Sequence, residues 1–184
     1  MPPAPAPLTI ELLDATRQLS RDDLHFIIKH ARDAGTLLKV AGNLRIRVVD
    51  DEEMSRAHEE FSEVPGTTDV LTFDMLAAED IERLGEDPAT WLQPPAPGIN
   101  SQLWGQIDCQ RLVETDILIC LDEATRQASQ RGYPFRKELL LYVIHGLLHC
   151  LGHDDHEEED SALMHKVEDA ILEAIGVGPV FRDR

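Results

Sequence analysis

His145-Gly146-Leu147-Leu148-His149-Cys150-Leu151-Gly152-His153-Asp154-Asp155-His156 is the stretch on which the reading of this chain turns. Five of the eight histidines fall between His145 and His165. His145 and His149 sit in a run, Leu139 to Leu151, that is otherwise almost entirely apolar. An imidazole is a poor guest in such a run unless its nitrogens have partners. Residues four apart lie only about 40° apart around a helix, so both rings point to one spot. A helix supplies two nitrogen ligands to one Zn²⁺ in this way. Two core histidines bonded to backbone are the alternative. Gly152 is placed to stop the helix in a left-handed C-cap and turn the chain back. The returning Asp154, Asp155 and His156 then offer a third ligand. Two helical histidines, a glycine turn and a third ligand follow the order of metzincin-type zinc sites. The general base of those enzymes is missing, because Gly146 stands where they carry glutamate.

The whole chain sets bounds on this site. At 184 residues, 42% of them hydrophobic, it has the length of one domain and enough apolar surface for a sizeable core. No run approaches the ~20 apolar residues of a membrane span. The start, MPPAPAPLTIELLD, lacks a basic segment followed by an apolar one. It reads as a disordered Pro/Ala arm over residues 1–7 rather than a signal peptide. Cys109, Cys120 and Cys150 are odd in number and widely spaced, which fits a reducing cytoplasm. With 35 acidic and 17 basic residues, the net charge of −18 opposes generic nucleic-acid binding. No DNA or membrane partner is expected. Any RNA contact must be local, through a metal and a few arginines, or through a protein partner. The acids of Glu157 to Asp160 read as a solvated helix start, where the macrodipole favours negative charge.

Along the chain, Leu8–Leu13 reads as a strand. Ser20 caps a helix that ends near Ala34–Gly35, with an apolar stripe of Leu24, Ile27, Ile28 and Ala31. Asn43–Val49 alternates as a strand. It puts Arg45 and Arg47 on one face, either an exposed polar face or a phosphate-facing pair. Asp50 or Asp51 caps a helix over about 52–61, and Thr68–Phe73 forms a strand in which Asp69 takes a structural role, as a cap or bound to backbone, or else orients a site group. Residues 77–105 read as loop by composition, with Trp91 and Trp104 packing it down or, alternatively, stacking on a base. A strand over Thr115–Cys120 and helices over about 122–131, 135–151 and 158–175 follow. The last turns Ala162, Leu163, Val167, Ala170, Ile171 and Leu172 inward. The 135–151 helix is apolar on nearly every side and should be the buried, central one. The fold class is α+β: a small mixed sheet of about four strands packed by about five helices, with the metal site on the central helix. A single domain spans 8–176, and 177–184 form a tail.

The 145–156 stretch resembles the H-G-x-L-H-x-x-G-x-D-H signature of the YbeY family, metal-dependent endoribonucleases of bacterial rRNA maturation. His145, Gly146, Leu148, His149, Gly152 and Asp154 match it. The resemblance runs from about Leu8 to Ile175 and takes in Thr68-Asp69-Val70-Leu71-Thr72-Phe73 and Asp116-Ile117-Leu118-Ile119-Cys120. It makes 77–105 an insertion. The family's third histidine falls ten residues after the first, which here is Asp155; His156, one position later, is the rival third ligand. The register to Met164 is ungapped, which favours Asp155. The chain departs from the family at Ser62, where the resemblance expects an arginine acting on RNA phosphate. It departs also at His153, the place of a tyrosine, and a histidine in that turn is expected to be solvated.

The resemblance implies a zinc-dependent, single-strand-specific endoribonuclease of rRNA processing, acting on the end of small-subunit rRNA and in ribosome quality control. One Zn²⁺ is expected on His145, His149 and Asp155, which leaves a fourth position open for water or substrate oxygen. His145, His149 and Asp154 are the expected catalytic residues, with Asp154 or His153 a candidate base. Arg45, Arg47 or the metal must supply the charge that Ser62 cannot. The expected partners are rRNA and the ribosomal small subunit or its assembly factors, in the cytoplasm. The alternatives are a non-catalytic ribosome-assembly factor with a structural metal, closed by a fourth ligand such as His156, and a zinc hydrolase of another substrate class.

Overall fold

The computed structural model describes residues 7–76, 111–153 and 155–181. Among them the chain runs β1 (Thr9–Asp14), α1 (Arg21–Leu37), β2 (Val40–Val49), α2 (Asp51–Ser62), β3 (Val70–Asp74), β4 (Arg111–Cys120), α3 (Leu121–Arg131), α4 (Phe135–Cys150) and α5 (Glu158–Ala174). This is the expected α+β class: a four-stranded mixed sheet and five helices. The strand order is β1-β2-β4-β3, with β1, β2 and β4 parallel and β3 antiparallel at the edge. The expected insertion at 77–105, its Trp91 and Trp104, and most of the expected N-terminal arm lie outside the described residues.

Local signals explain the boundaries. Ser20 and Asp23 form a reciprocal capping box at the start of α1, and the Asp50 carboxylate accepts from the Glu53 amide at the start of α2. β2 and β4 begin three to four residues earlier than their apolar alternation indicates. They do so because Val40 to Asn43 pair with Arg111 to Glu114 in continuous register.

The two faces of the sheet have different fates. Leu44, Ile46 and Val48 of β2 and Val113, Ile117 and Ile119 of β4 point into the main core with α1 and α4. The opposite face carries Arg45 and Arg47. Arg45 binds Glu114 and Asp116, each at 2.5 Å, and Arg47 binds Glu53 at 2.8 Å. The phosphate-facing reading of this pair therefore fails. Both arginines lie on the face turned away from α4, and carboxylates hold both.

α4 is the central helix expected from its sequence. Leu139, Leu140, Val143, Ile144, Leu147 and Leu148 are fully buried, and each contributes about 1.5–3 kcal/mol by leaving water. α1, α3 and α5 pack against it, and its other side lies on β3 and β4. The inner face of α5 differs from its apolar reading. Ala162 is exposed, whereas Glu168 and Asp169 are buried. Asp169 accepts from the backbone amides of Val180 and Phe181, so part of the segment read as a tail folds back onto the core.

Gly146 sets the distance between α4 and the sheet. A Cβ there would stand 2.7 Å from Ile117 Cδ1 and 2.8 Å from Thr72 Oγ1, inside contact distance of both strands. Only a residue without a side chain lets the helix lie this close. Gly146→Ala gains about 1 kcal/mol of helix propensity but overpacks the seam, which typically costs about 1–3 kcal/mol. A net loss of stability is expected in thermal unfolding. A variant that melts at or above the wild-type temperature would show that this contact does not set the packing.

Candidate metal centre

The turn after α4 builds the site. Gly152 takes φ +86°, and the His153 amide donates to the Leu148 carbonyl at 3.0 Å, a glycine-dependent C-cap that folds the chain back. The return brings Asp155 over the two helical histidines. His145 Nε2 and His149 Nε2 are 2.9 Å apart. Asp155 Oδ2 is 3.5 Å from the first and Asp155 Oδ1 is 3.7 Å from the second. Tetrahedral zinc with bonds of about 2.0–2.1 Å needs donors roughly 3.3 Å apart. The three residues form a group whose ligand atoms all lie within 4.8 Å of one another, and it is the one such group among the described residues. His156 is exposed and lies outside it. Asp154 lies outside the described residues.

The far side of each ring fixes its proton. His149 Nδ1 lies 3.1 Å from the His153 carbonyl, which can only accept, so Nδ1 carries the hydrogen. His145 Nδ1 lies 2.7 Å from Glu168 Oε1 and donates to that carboxylate. In the neutral rings both Nε2 atoms then present lone pairs to each other across 2.9 Å. Two lone pairs at that distance repel unless a metal ion or a proton stands between them. Metal-binding histidines characteristically donate their second nitrogen to a carboxylate or carbonyl, as both do here. The donor set thus fits a divalent ion.

The surrounding charges reinforce this. Burial, the largest single influence, lowers the His145 pKa, but the hydrogen bond to Glu168 and the negative charges of Glu168, Asp69 and Asp155 together outweigh it, so the net shift is upward. Burial raises the Glu168 carboxyl, and His145 offsets part of that. His153 is a correction to the sequence reading, because it is only 7% exposed rather than solvated. Burial, helped by Arg111 and His149, pushes its pKa down to about 4. Its carbonyl serves the site by orienting His149.

Asp69 takes the expected structural role. Its carboxylate accepts from the Val70 amide and the Thr68 hydroxyl, and its carbonyl accepts from the Cys120 amide. It also borders the site. Two cavities, of about 690 and 420 Å³, meet at Asp69, His145 and Asp155. Ser62, where the resemblance expects an arginine, is an exposed residue at the end of α2 and lines neither cavity. Sequence reasoning missed Glu168, Tyr142, Arg131 and Glu138. A faint signal existed: Glu138 lies one heptad before His145 in an apolar helix, and Glu168 interrupts the apolar face of α5.

The fold and site define a class: an α+β protein that brings two histidines of its buried central helix together with a carboxylate from the turn that follows it, bordered by two cavities. Residues 10–176 match the family model described as Endoribonuclease YbeY, and the chain belongs to that family. Its relatives named Endoribonuclease YbeY include one from Salinibacter ruber, 30% identical over 181 residues that cover 97% of this chain and 99% of the relative. One from Bacillus pumilus is 30% identical over 92% of this chain and 96% of its own. One from Cutibacterium acnes is 35% identical over 73% and 72%. Among solved structures, that of TM1509 from Thermotoga maritima matches 90% of this chain and 91% of its own at 18% identity with a TM-score of 0.50, a likeness of fold.

The hydrogen bonds predict the tautomers. In ¹⁵N–¹H spectra at pH 8, His145 and His149 should both appear protonated at Nδ1 and bare at Nε2. Added Zn²⁺ should shift the Nε2 resonances most. A ring found protonated at Nε2 would remove the convergent lone pairs and with them the fit to a metal.

Proposed function

We propose that this chain is a zinc-dependent endoribonuclease that cuts single-stranded RNA in rRNA processing. Its substrate is the unprocessed end of small-subunit rRNA, and it acts also in ribosome quality control. One Zn²⁺ binds at His145, His149 and Asp155. The partners are rRNA and the small subunit or its assembly factors, in the cytoplasm; among the described residues no helix is long and apolar enough to cross a membrane. The observation that supports this most is the convergence of the His145 and His149 lone pairs beside Asp155 at the junction of two cavities. A polymer can lie across such a junction with its middle at the reactive centre, as internal cleavage requires.

Each side chain has a stated task. Glu168 and the His153 carbonyl lock the two imidazoles, so their lone pairs need no reorganisation when charge develops. A divalent ion held there supplies Lewis acidity toward a phosphate oxygen and lowers the pKa of a water. Asp155 closes the ligand set and leaves a coordination position for substrate, since His156 stands outside the group. Asp154, the residue before Asp155 in sequence, is the proposed base. Arg45 and Arg47 cannot replace the arginine absent at Ser62, because they are paired on the far face of the sheet. The positive charge at the scissile phosphate is therefore the ion's. Gly146 faces β3 and β4, and no carboxylate follows His145 to serve peptide hydrolysis.

Two measurements test this reading. Wild type should cut an RNA that carries the unprocessed small-subunit end, and His149→Ala and chelator-treated protein should not. Equal cleavage by wild type and His149→Ala, or none by either, would overturn it in favour of an assembly factor. For the ligand set, Asp155→Ala should lose bound zinc while His156→Ala retains it. Loss confined to His156→Ala would shift the third ligand by one position.

A further inference from the structure

The sheet order β1-β2-β4-β3 gives β3 a single neighbour, and its ladder shows what it turns outward. The Met75 amide donates to the Glu114 carbonyl at 2.7 Å, and the Cys120 amide donates to the Asp69 carbonyl at 2.9 Å. In an antiparallel pair, residues that bond across the ladder alternate with residues that do not. Asp69, Leu71, Phe73 and Met75 therefore direct their backbone groups to β4, and Val70, Thr72 and Asp74 turn theirs to the free edge. The Asp69 carboxylate accepts from the Val70 amide. The backbone N–H and C=O of Thr72 and of Asp74 have no partner among the described residues.

The smaller cavity, of about 420 Å³, runs along that edge. Val70, Leu71 and Thr72 all line it, together with Asp69 and Asp74. Successive strand residues point to opposite faces, so three in a row meet one space only along the backbone edge. His149, Cys150 and Asp155 form the other wall. An open edge of this kind is a template for one more strand.

The flanks of the edge limit which strand fits. Asp74 shares a face with Thr72, the residue that meets Gly146, so it stands on the α4 side. Asp69 and Asp155 line the cavity with it, and no lysine or arginine among the described residues does. On the opposite face Phe73 packs edge-on against Phe61, with ring centres 4.9 Å apart. Phe61 is 60% exposed and Met75 57%. A strand laid on this edge places alternate side chains on the two faces, cations toward Asp74 and apolar groups beside Phe73 and Met75. A second copy of the chain is disfavoured, because each copy carries a net charge of −18. RNA matches the edge less well, because a phosphate only accepts hydrogen bonds and would bring an anion beside three aspartates.

We infer that the free edge of β3 is a docking site for an extended segment of another protein, one in which lysine or arginine alternates with apolar residues. The segment adds as a strand and brings that protein to the rim of the metal centre. The probe is a fluorescent, end-blocked octapeptide of alternating lysine and valine, titrated into the full chain by anisotropy. RNA and metal are left out, so the result does not depend on the nuclease reading. In the free chain the Thr72 and Asp74 amides should exchange rapidly with deuterium, and bound peptide should slow them about tenfold or more. N-methylation of the peptide, one residue at a time, should weaken binding about tenfold at every second position and less than about twofold between, because only alternate amides face β3. Asp74→Pro removes an edge donor that lies outside the ladder to β4. It should weaken binding about tenfold beyond Asp74→Asn, which removes only the charge, with thermal melts confirming that both variants fold. No binding, or an N-methylation profile without the two-residue period, overturns the inference. So does equal binding of a peptide with the lysines and valines in two blocks, which would reduce the contact to charge. Amides already protected in the free chain would mean that the chain itself or a second copy covers the edge, and the inference falls. It falls equally if a single-stranded oligoribonucleotide slows those amides and the peptide does not.

Discussion

Two imidazole nitrogens facing each other at 2.9 Å need a cation or a proton between them, and this constraint governs the rest of the site. Glu168 and the His153 carbonyl hold the rings from behind, so neither can turn away without leaving a buried donor unmade. That arrangement makes sense around a cation. It also explains why a carboxylate as buried as Glu168 is tolerated on an inner helix face. Its cost in desolvation is offset by fixing the histidine that the site needs, a use of a buried acid that bare stability would not favour.

The lone pairs meet only because the scaffold leaves the rings no other place. α4 is apolar on almost every side and is clamped by α1, α3 and α5, with the sheet beneath it. Gly146 lowers the helix onto Ile117 and Thr72, which brings His145 and His149 level with the edge strand β3 and with Asp69 just before it. The same glycine sits where zinc proteases carry their general base. In this chain that position is given to packing.

The parts of this design that depend on near neighbours were legible in the sequence. The His145–His149 spacing, the Gly152 turn, the Ser20 cap and the apolar girth of α4 are all set within a few residues, and the structure bears each of them out. The parts that depend on distant partners were not. Arg45 and Arg47 share a face in any strand, but only the register of β2 on β4 puts Asp116 opposite Arg45 and Glu114 diagonal to it, opposite Asn43. Glu168 looks like a flaw in the apolar face of α5 until His145 is placed against it, 23 residues away in sequence. His153 looks like a solvated turn residue until the C-cap hydrogen bonds carry it inward.

The charge of the chain then becomes intelligible rather than contradictory. A net charge of −18 excludes a protein that grips RNA by its phosphates along a broad basic surface. It does not exclude one that meets RNA at a point. The acids around α4 orient His145, pair Arg131 and complete a cluster that could hold a metal. Asp69, Glu123, Glu138, Asp155 and Glu168 all line the larger cavity beside His145. Like charges at such distances repel, so an anion can approach this lining only where a cation offsets the carboxylates. The paired histidines and Asp155 are where the fold can hold such a cation.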